Sequence, residues 1–399
     1  MGMLWWVLLL GFSWNGGERR MVMGNSNNKC EFPAIFNFGD SNSDTGAISA
    51  SFSQVAPPNG ETFFGKPMGR VCDGRLIVDF IAETLGLPYL TAYLDSLGNG
   101  FSHGANFATA GSTVRPQNVT LFQGGVSPFS LNYQVLQFTQ FKSRSSFLYI
   151  KDICLEGRCI RIGESANSSS SSSSGKTNVP KPEDFSKALY TFDIGQNDLA
   201  AGFRTISDDA VRASIPQILA SISQAIQVLY GEGARTFWIH NTGPIGCLPF
   251  SAMYYPFKPR NIDKYGCVYT QNDVAQEFNR QLKLMVSQLR EQLPHAELTY
   301  VDVYSAKFNL ISHAKEEGFV DPLKFCCGYG KDGYNAWCGR STNVNGTIVY
   351  DVCDKASMYV SWDGIHYSEA ANRWIANHIF NGQLSEPPLP LTQACHRLT

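Results

Sequence analysis

Ser41 follows Gly39 and Asp40 at the end of a short apolar run, Ala34 to Phe38 (AIFNF), and leads into Asn42-Ser-Asp-Thr-Gly46, a cluster of cap and turn residues. A serine at the carboxyl end of a first strand stands where open α/β sheets bind ligands. A helix starting just after it would turn backbone N–H groups toward a developing oxyanion. The same triplet also suits a plain helix cap, since Ser and Asp are preferred there. A serine nucleophile needs a base. Of the seven histidines, His103, His240, His295, His313, His366, His378 and His396, only His366 has an acidic residue three positions before it, Asp363 in WDGIHY. On one short turn that carboxylate can hold the imidazole in the tautomer that accepts a hydroxyl proton. DxxH alone also describes a cap beside a surface histidine. Two segments can supply donors to an oxyanion: Gly104 to Gly111 (GANFATAG), whose last glycine lets a backbone amide approach a ligand closely, and Gly195-Gln-Asn197-Asp198, directly after ALYTFDI. Each by itself also suits an ordinary turn. The competing chemistry is glycoside cleavage by paired carboxylates, for which Asp40, Asp44, Asp198 and Asp363 are available in the same segments. GxSxG, HExxH, Walker A and a strand-borne GxGxxG are all missing, which removes the common lipase elbow, zincins, P-loop enzymes and dinucleotide binders.

These residues must be positioned by a frame, and the frame has a rhythm. After the run at 34–38, Ala188 to Ile194 (ALYTFDI), Thr236 to His240 (TFWIH) and Leu298 to Val303 (LTYVDV) are near-continuously apolar, as buried parallel strands are. Between them, Leu76 to Leu85, Val211 to Tyr230 and Val274 to Leu293 carry apolar residues at i, i+3, i+4 spacing. Alternating strand and helix predicts a mainly parallel sheet covered on both faces. Residues 143–182 break the rhythm with Cys154, Cys159 and seven consecutive serines, Ser168 to Ser174, and are expected to form an exposed insertion. Residues 322–358 hold Cys326, Cys327, Cys338 and Cys353 among Gly and Tyr, a pattern expected of a disulfide-stapled loop.

Composition narrows the function classes. With 43% hydrophobic and 17% charged residues in a chain of 399, and a net charge of -2, there is material for a large core and no basic footprint for nucleic acid. Eleven cysteines without a CxxC favour an oxidising compartment over a zinc ribbon. Leu4 to Phe12 is a nine-residue apolar run, too short to span a bilayer and suited to a secretory h-region, so residues 1–24 are expected to be a signal peptide. No later run is long enough for membrane insertion. Asn118, Asn167 and Asn345 head glycosylation sequons, consistent with export. An apolar first strand in place of the signal is the alternative.

The segments FGDSNSDTG, GANFATAG, GQND and WDGIH occur in the order of the signature blocks of the GDSL (SGNH) hydrolases, and WIHNTGPIGCLPF is similar to a segment that plant members carry between the last two. From about Phe32 to Gly382 the chain resembles a plant GDSL esterase/lipase. The resemblance implies Ser41 as nucleophile and amide donor, Gly111 and Asn197 as further oxyanion donors, His366 as base and Asp363 as its orienting partner. It implies one three-layer α/β/α domain, over 30–399, with a flavodoxin-like, mainly parallel five-stranded sheet. No metal or organic cofactor is required, and the partner is a small-molecule, glycoside or cell-wall polysaccharide ester. Asn42 replaces the family's Leu and Tyr367 stands where many members have Pro, both beside the catalytic positions. GDSNSDTG and WDGIHY are similar to a subgroup with early-nodulin-like proteins, acetyl esterases of glycosides and wall polysaccharides, and proteins described as fucosidases. The expected function is therefore secreted serine ester hydrolysis, on small acyl groups of carbohydrates, with Trp362 a candidate sugar platform. Lipase action on long-chain esters and fucosidase-like glycoside cleavage are the alternatives.

Overall fold

A computed structural model describes residues 29–95, 97, 100–117, 127–155, 178–254, 261–328, 338–339, 341–344, 347–350 and 352–395. The expected signal at 1–24, the serine tract and Asn118, Asn167 and Asn345 lie outside these residues.

The four apolar runs form strands β1 (Ile35–Gly39), β3 (Leu189–Asp193), β4 (Thr236–His240) and β5 (Glu297–Val301). The three residues Gly104–Asn106 add β2. A hairpin, β6 (Ser341–Val344) and β7 (Thr347–Tyr350), stands apart, and Ser385–Glu386 forms β8. The main sheet runs β2-β1-β3-β4-β5-β8, parallel throughout except for the β5/β8 pairing. This is the expected mainly parallel five-stranded sheet, extended by one two-residue antiparallel strand. β8 has no apolar run to announce it, because Ser385 and Glu386 join the sheet only through β5.

Chain connections leave β1 toward β2 on one side and arrive at β3 on the other, so the order reverses between β1 and β3. Right-handed crossovers send the connecting helices to opposite faces on either side of such a point. The helices accordingly fall into two mutually packed groups: Leu131–Leu155, Gln196–Thr205, Asp208–Gly231 and Tyr269–Gln292 in one, Ile77–Leu85, Val303–Ser312 and Glu369–Ile379 in the other. The apolar positions of these helices face the sheet; Val211, Ile215, Ile218 and Ile222, for example, are all buried. Phe36 of β1 stacks on Phe185 at 5.1 Å and meets Phe138 edge-on at 5.2 Å, fixing the Leu131–Leu155 helix over the strand that carries the serine. That helix occupies the first part of the segment expected to be irregular from 143; residues 156–177 are not described. The stapled loop contains the β6/β7 hairpin and is closed by Cys326–Cys353 and Cys327–Cys338. Cys247–Cys267 and Cys30–Cys395 are also bonded, and Cys72 is a buried free thiol.

Candidate active site

Gly39 ends β1 where a side chain has no room: a Cβ there would lie 2.3 Å from Ser43 Oγ and 2.7 Å from the Asp193 carbonyl oxygen. The bare backbone is clamped by Gln134, whose Oε1 accepts from Gly39 N at 2.9 Å while its Nε2 donates to Gly39 O at 2.8 Å. The chain then turns sharply. Asp40 Oδ1 accepts from both the backbone N–H and the side-chain amide of Asn42, each at 2.9 Å, and between them half-buried Ser41 is carried at the carboxyl edge of the sheet. Asn42, where the family pattern has Leu, thus closes the turn with its own side chain.

The segment around Gly111, expected to supply an oxyanion donor, is tied on both sides of that glycine. Asp44 Oδ1 accepts from Gly46 N (2.7 Å) and Ala47 N (2.6 Å), and its Oδ2 from Ile48 N (3.0 Å) and from Ala110 N (2.7 Å), next to Gly111. On the other side of Gly111, the Ser112 carbonyl accepts from Asn197 Nδ2 at 2.9 Å. Asp198 then accepts from Val114 N (2.7 Å) and Arg115 N (3.2 Å). Gly111 has φ 78°, a left-handed conformation that its residue type makes inexpensive. The turn after β1, the loop after β2 and the start of the Gln196–Thr205 helix after β3 are therefore stitched together around Gly111. Asn106, a residue the sequence does not mark as functional, completes the seam: its Oδ1 accepts from Asn37 Nδ2 (2.7 Å), and its Nδ2 donates to Ser43 O (2.6 Å) and Thr45 Oγ1 (2.9 Å). The polar Asn inside the otherwise small-residue GANFATAG was its one signal.

The expected base, His366, lies in the turn Ser361–Tyr367. His366 Nδ1 and Asp363 Oδ2 are 2.6 Å apart, and Asp363 Oδ1 accepts from the backbone N–H of His366 (2.7 Å) and of Ile365 (2.9 Å). Burial alone would raise the Asp363 carboxyl, but the charge and hydrogen bonds of His366 outweigh it and hold the group below its usual range. Burial likewise pushes His366 down, and the Asp363 carboxylate more than reverses that, leaving the imidazole raised. The opposite edge of the ring, Nε2, is buried and has no hydrogen-bond partner among the described residues. Asp40 lies close enough for its charge to favour protonated His366, and His366 in turn to favour ionised Asp40, so the turn that carries Ser41 is within electrostatic reach of the imidazole across 325 residues of sequence. The arrangement offers a hydroxyl, an oriented imidazole and, in the segments stitched around Gly111, N–H groups, the kinds of part that acyl transfer requires.

Three of the four carboxylates considered for glycoside cleavage are otherwise engaged. Asp44 and Asp198 accept backbone N–H groups and Asp363 holds His366. Asp40 is the exception, with one oxygen committed to Asn42 and the other buried and unpartnered among the described residues; burial first, then the charge of Asp193, pushes it up to about 7. Trp362 is not a sugar platform: it is 1% exposed, donates from Nε1 to Asn59 Oδ1 at 2.9 Å, and packs on Cys326 and Cys327.

Comparison with known proteins shows the family. Residues 35–379 match the family model described as GDSL-like Lipase/Acylhydrolase. The chain is 52% identical to GDSL esterase/lipase At5g14450 of Arabidopsis thaliana over 92% of this chain and 90% of that protein. It is 48% identical to a protein named Esterase from Hevea brasiliensis, over 92% and 90%. It is 49% identical to a protein named Alpha-L-fucosidase 3 from Arabidopsis thaliana, over 92% and 93%.

Proposed function

The chain belongs to the GDSL-like lipase/acylhydrolase family and is a carboxylic ester hydrolase, and we propose that it works through Ser41, His366 and Asp363. His366 Nε2 takes the Ser41 proton as the hydroxyl oxygen attacks the ester carbonyl. The amides of Ser41 and Gly111 and the side chain of Asn197 receive the oxyanion. Protonated His366 then gives its proton to the leaving alcohol, and a water activated by the same imidazole releases the acid and frees Ser41. The observation that carries this reading is the oriented imidazole: Asp363 grips Nδ1, and the unpartnered Nε2 faces away from it. Turnover of a p-nitrophenyl ester by wild type and Ser41→Ala tests it, together with fluorophosphonate labelling. We expect loss of turnover and of label in the variant; labelling of a different serine would overturn the assignment.

The proposed substrates are small acyl groups on carbohydrates or glycosides, supported by the subgroup resemblance of GDSNSDTG and WDGIHY rather than by any stacking residue. A panel of acetylated xylan, small glycoside esters and triglyceride separates this from long-chain lipase action. A glycosidase reading draws on the name of one relative, but the carboxylate commitments described above weigh against it; fucose release that persists in Ser41→Ala would favour it. Export is proposed on the apolar run at Leu4 to Phe12 and on four disulfides among the described residues, which persist in oxidising compartments. No helix among the described residues is long and apolar enough to cross a membrane. Asn118, Asn167 and Asn345 are the proposed glycan acceptors.

A further inference from the structure

A lysine is buried almost completely beside this site. Lys307, in the Val303–Ser312 helix that follows β5, is 2% exposed, although Lys is rarely buried without a paired carboxylate. Its stem crosses the carboxyl end of the sheet. The position a Cβ of Gly243 would take, just after β4, is 2.9 Å from Lys307 Cδ, 3.6 Å from Nζ and 3.8 Å from Gln196 Oε1, at the start of the helix after β3. Nζ is 4.7 Å from the ring centre of Tyr367, the residue after His366. Among the described residues no carboxylate is within 4.0 Å of this ammonium, so its charge acts at longer range.

The charges it faces form one group. Asp193, at the end of β3, is 3.4 Å from His240 Nδ1, and its carbonyl accepts from Asp40 N at 3.2 Å. His240 Nε2 accepts from Trp238 Nε1 at 3.1 Å. Asp193 and Asp40 both favour the Lys307 ammonium against the cost of burial. Around His366 stand Asp363 on its own turn, Asp40 on the turn after β1, Lys307 on the helix after β5, and the neutral Tyr367. The two carboxylates favour the imidazolium and the ammonium opposes it.

We propose that Lys307 is a positioning residue for ester hydrolysis, whose buried ammonium balances Asp40 and Asp193 beneath the Ser41 turn and biases His366 toward the neutral imidazole that accepts the serine proton. Asp363, joined by Asp40 as it ionises near neutral pH, would otherwise keep the imidazole protonated as pH rises, and a protonated imidazole is no base. Gly243 is the residue that leaves the stem room to cross.

The inference rests on His366 being the base, and the experiment separates the two. The pH profile of kcat/KM for a p-nitrophenyl ester is measured for wild type, Lys307→Met, Lys307→Gln, Lys307→Arg and Asp40→Asn, with Ser41→Ala as control. Removing the positive charge is expected to move the acid limb of Lys307→Met and Lys307→Gln up by about one pH unit, a loss of roughly tenfold below the limb with a far smaller change on the plateau. Lys307→Arg, which keeps the charge, is expected to return the limb toward its wild-type position, and Asp40→Asn to move it down. A uniform loss at every pH with the limb in place would make Lys307 merely structural and overturn the inference. A displaced limb in Lys307→Arg, or an unmoved or raised limb in Asp40→Asn, overturns it as well, and these two arms decide should the neutral variants not fold. Full turnover in Ser41→Ala would instead remove the serine mechanism itself.

Discussion

Asn197 and Asp198 are neighbours with different tasks. Asn197 donates one side-chain N–H to the Ser112 carbonyl, and the other is the one proposed to meet a developing oxyanion, while Asp198 holds the backbone of Val114 and Arg115. Asn197→Ala is therefore expected to lower kcat by roughly 10²–10³-fold with little change in KM, the mark of a donor used mainly in the transition state; steady-state kinetics on one ester show it, and a raised KM at constant kcat would make Asn197 a ground-state contact instead. Gly39→Ala is expected to cost about 10²-fold in kcat for a different reason. The added Cβ meets Ser43 Oγ at 2.3 Å and the Asp193 carbonyl at 2.7 Å, so the Ser41 turn must shift, and small misplacements of reacting groups are expensive. Ser41, Asp363 and His366 were nominated in the sequence by the order of the family blocks FGDSNSDTG, GANFATAG, GQND and WDGIH, since GDS and DxxH each also describe a plain cap. Asn106, Gln134 and Lys307 were not, because each matters through partners from another part of the chain: Gln134 clamps Gly39 across 95 positions. Trp362 invited a role in sugar stacking by its place beside Asp363 and the subgroup resemblance, but its ring is core.

At the scale of elements, the turn bearing the imidazole closes on itself through Trp362 N to His366 O at 2.8 Å and is also held from outside. Trp362 O accepts from Cys326 N at 2.9 Å and Cys327 N at 2.7 Å, Gly364 O accepts from Phe250 N at 2.9 Å, and Gly364 has φ 93°. The Cys326–Cys353 bond closes a 27-residue separation around those contacts. Cys326→Ser with Cys353→Ser is expected to cost roughly 3 kcal/mol of stability, measured by urea unfolding, and to lower kcat beyond what the unfolded fraction explains. Unchanged kcat in the folded variant would show that the turn holds itself. The strands β1, β3, β4 and β5 were readable because burial on both faces demands continuous apolar runs. Strand β2 was not: Gly104–Asn106 has little intrinsic strand preference, and its pairing with Ile35–Asn37 comes from tertiary contacts. The latter half of the Leu131–Leu155 helix was obscured in the same way. Its buried face is clear at Leu131, Val135 and Phe138, then blurs where Lys142, Ser143, Ser145 and Ser146 meet exposed Phe147. Strand order, and with it the reversal between β1 and β3 that gathers the site, depends on which crossover goes to which side, for which local sequence has no marker.

The whole molecule carries an unusual charge load for its core, and this sets how its stability should vary with pH. Asp40 and Asp198 are each pushed up to about 7, in both cases first by burial; Asp44 and Asp73 are also raised by burial, and His366 is raised by Asp363 against the effect of its burial. A carboxyl whose folded pKa exceeds its unfolded value stabilises fully below the unfolded value, near 4, and loses that contribution as pH rises through about 7. Raised His366 behaves alike, losing its contribution as pH climbs through its elevated folded pKa. Asp193, Asp363 and Glu386 are lowered, and Glu277 is held at about 2, so their stabilisation is complete above pH 5 and stays constant from there. Lys307 acts in the opposite sense, but only once the pH reaches its own lowered pKa. Between pH 5.5 and 8 the raised acids and His366 therefore dominate, and all of them favour the acid side. The Cys30–Cys395 bond ties the two ends of the described chain together at every pH in this range, so it leaves the slope untouched. The expected result is a Tm higher at pH 5.5 than at pH 8 by roughly 5 °C. Asp198→Asn, which keeps an acceptor for Val114 N but no longer titrates, should flatten part of that slope. A Tm that is equal or higher at pH 8 in wild type would mean that water or rearrangement solvates these carboxylates in the folded protein, and that the interior does not hold them as unfavourable charges.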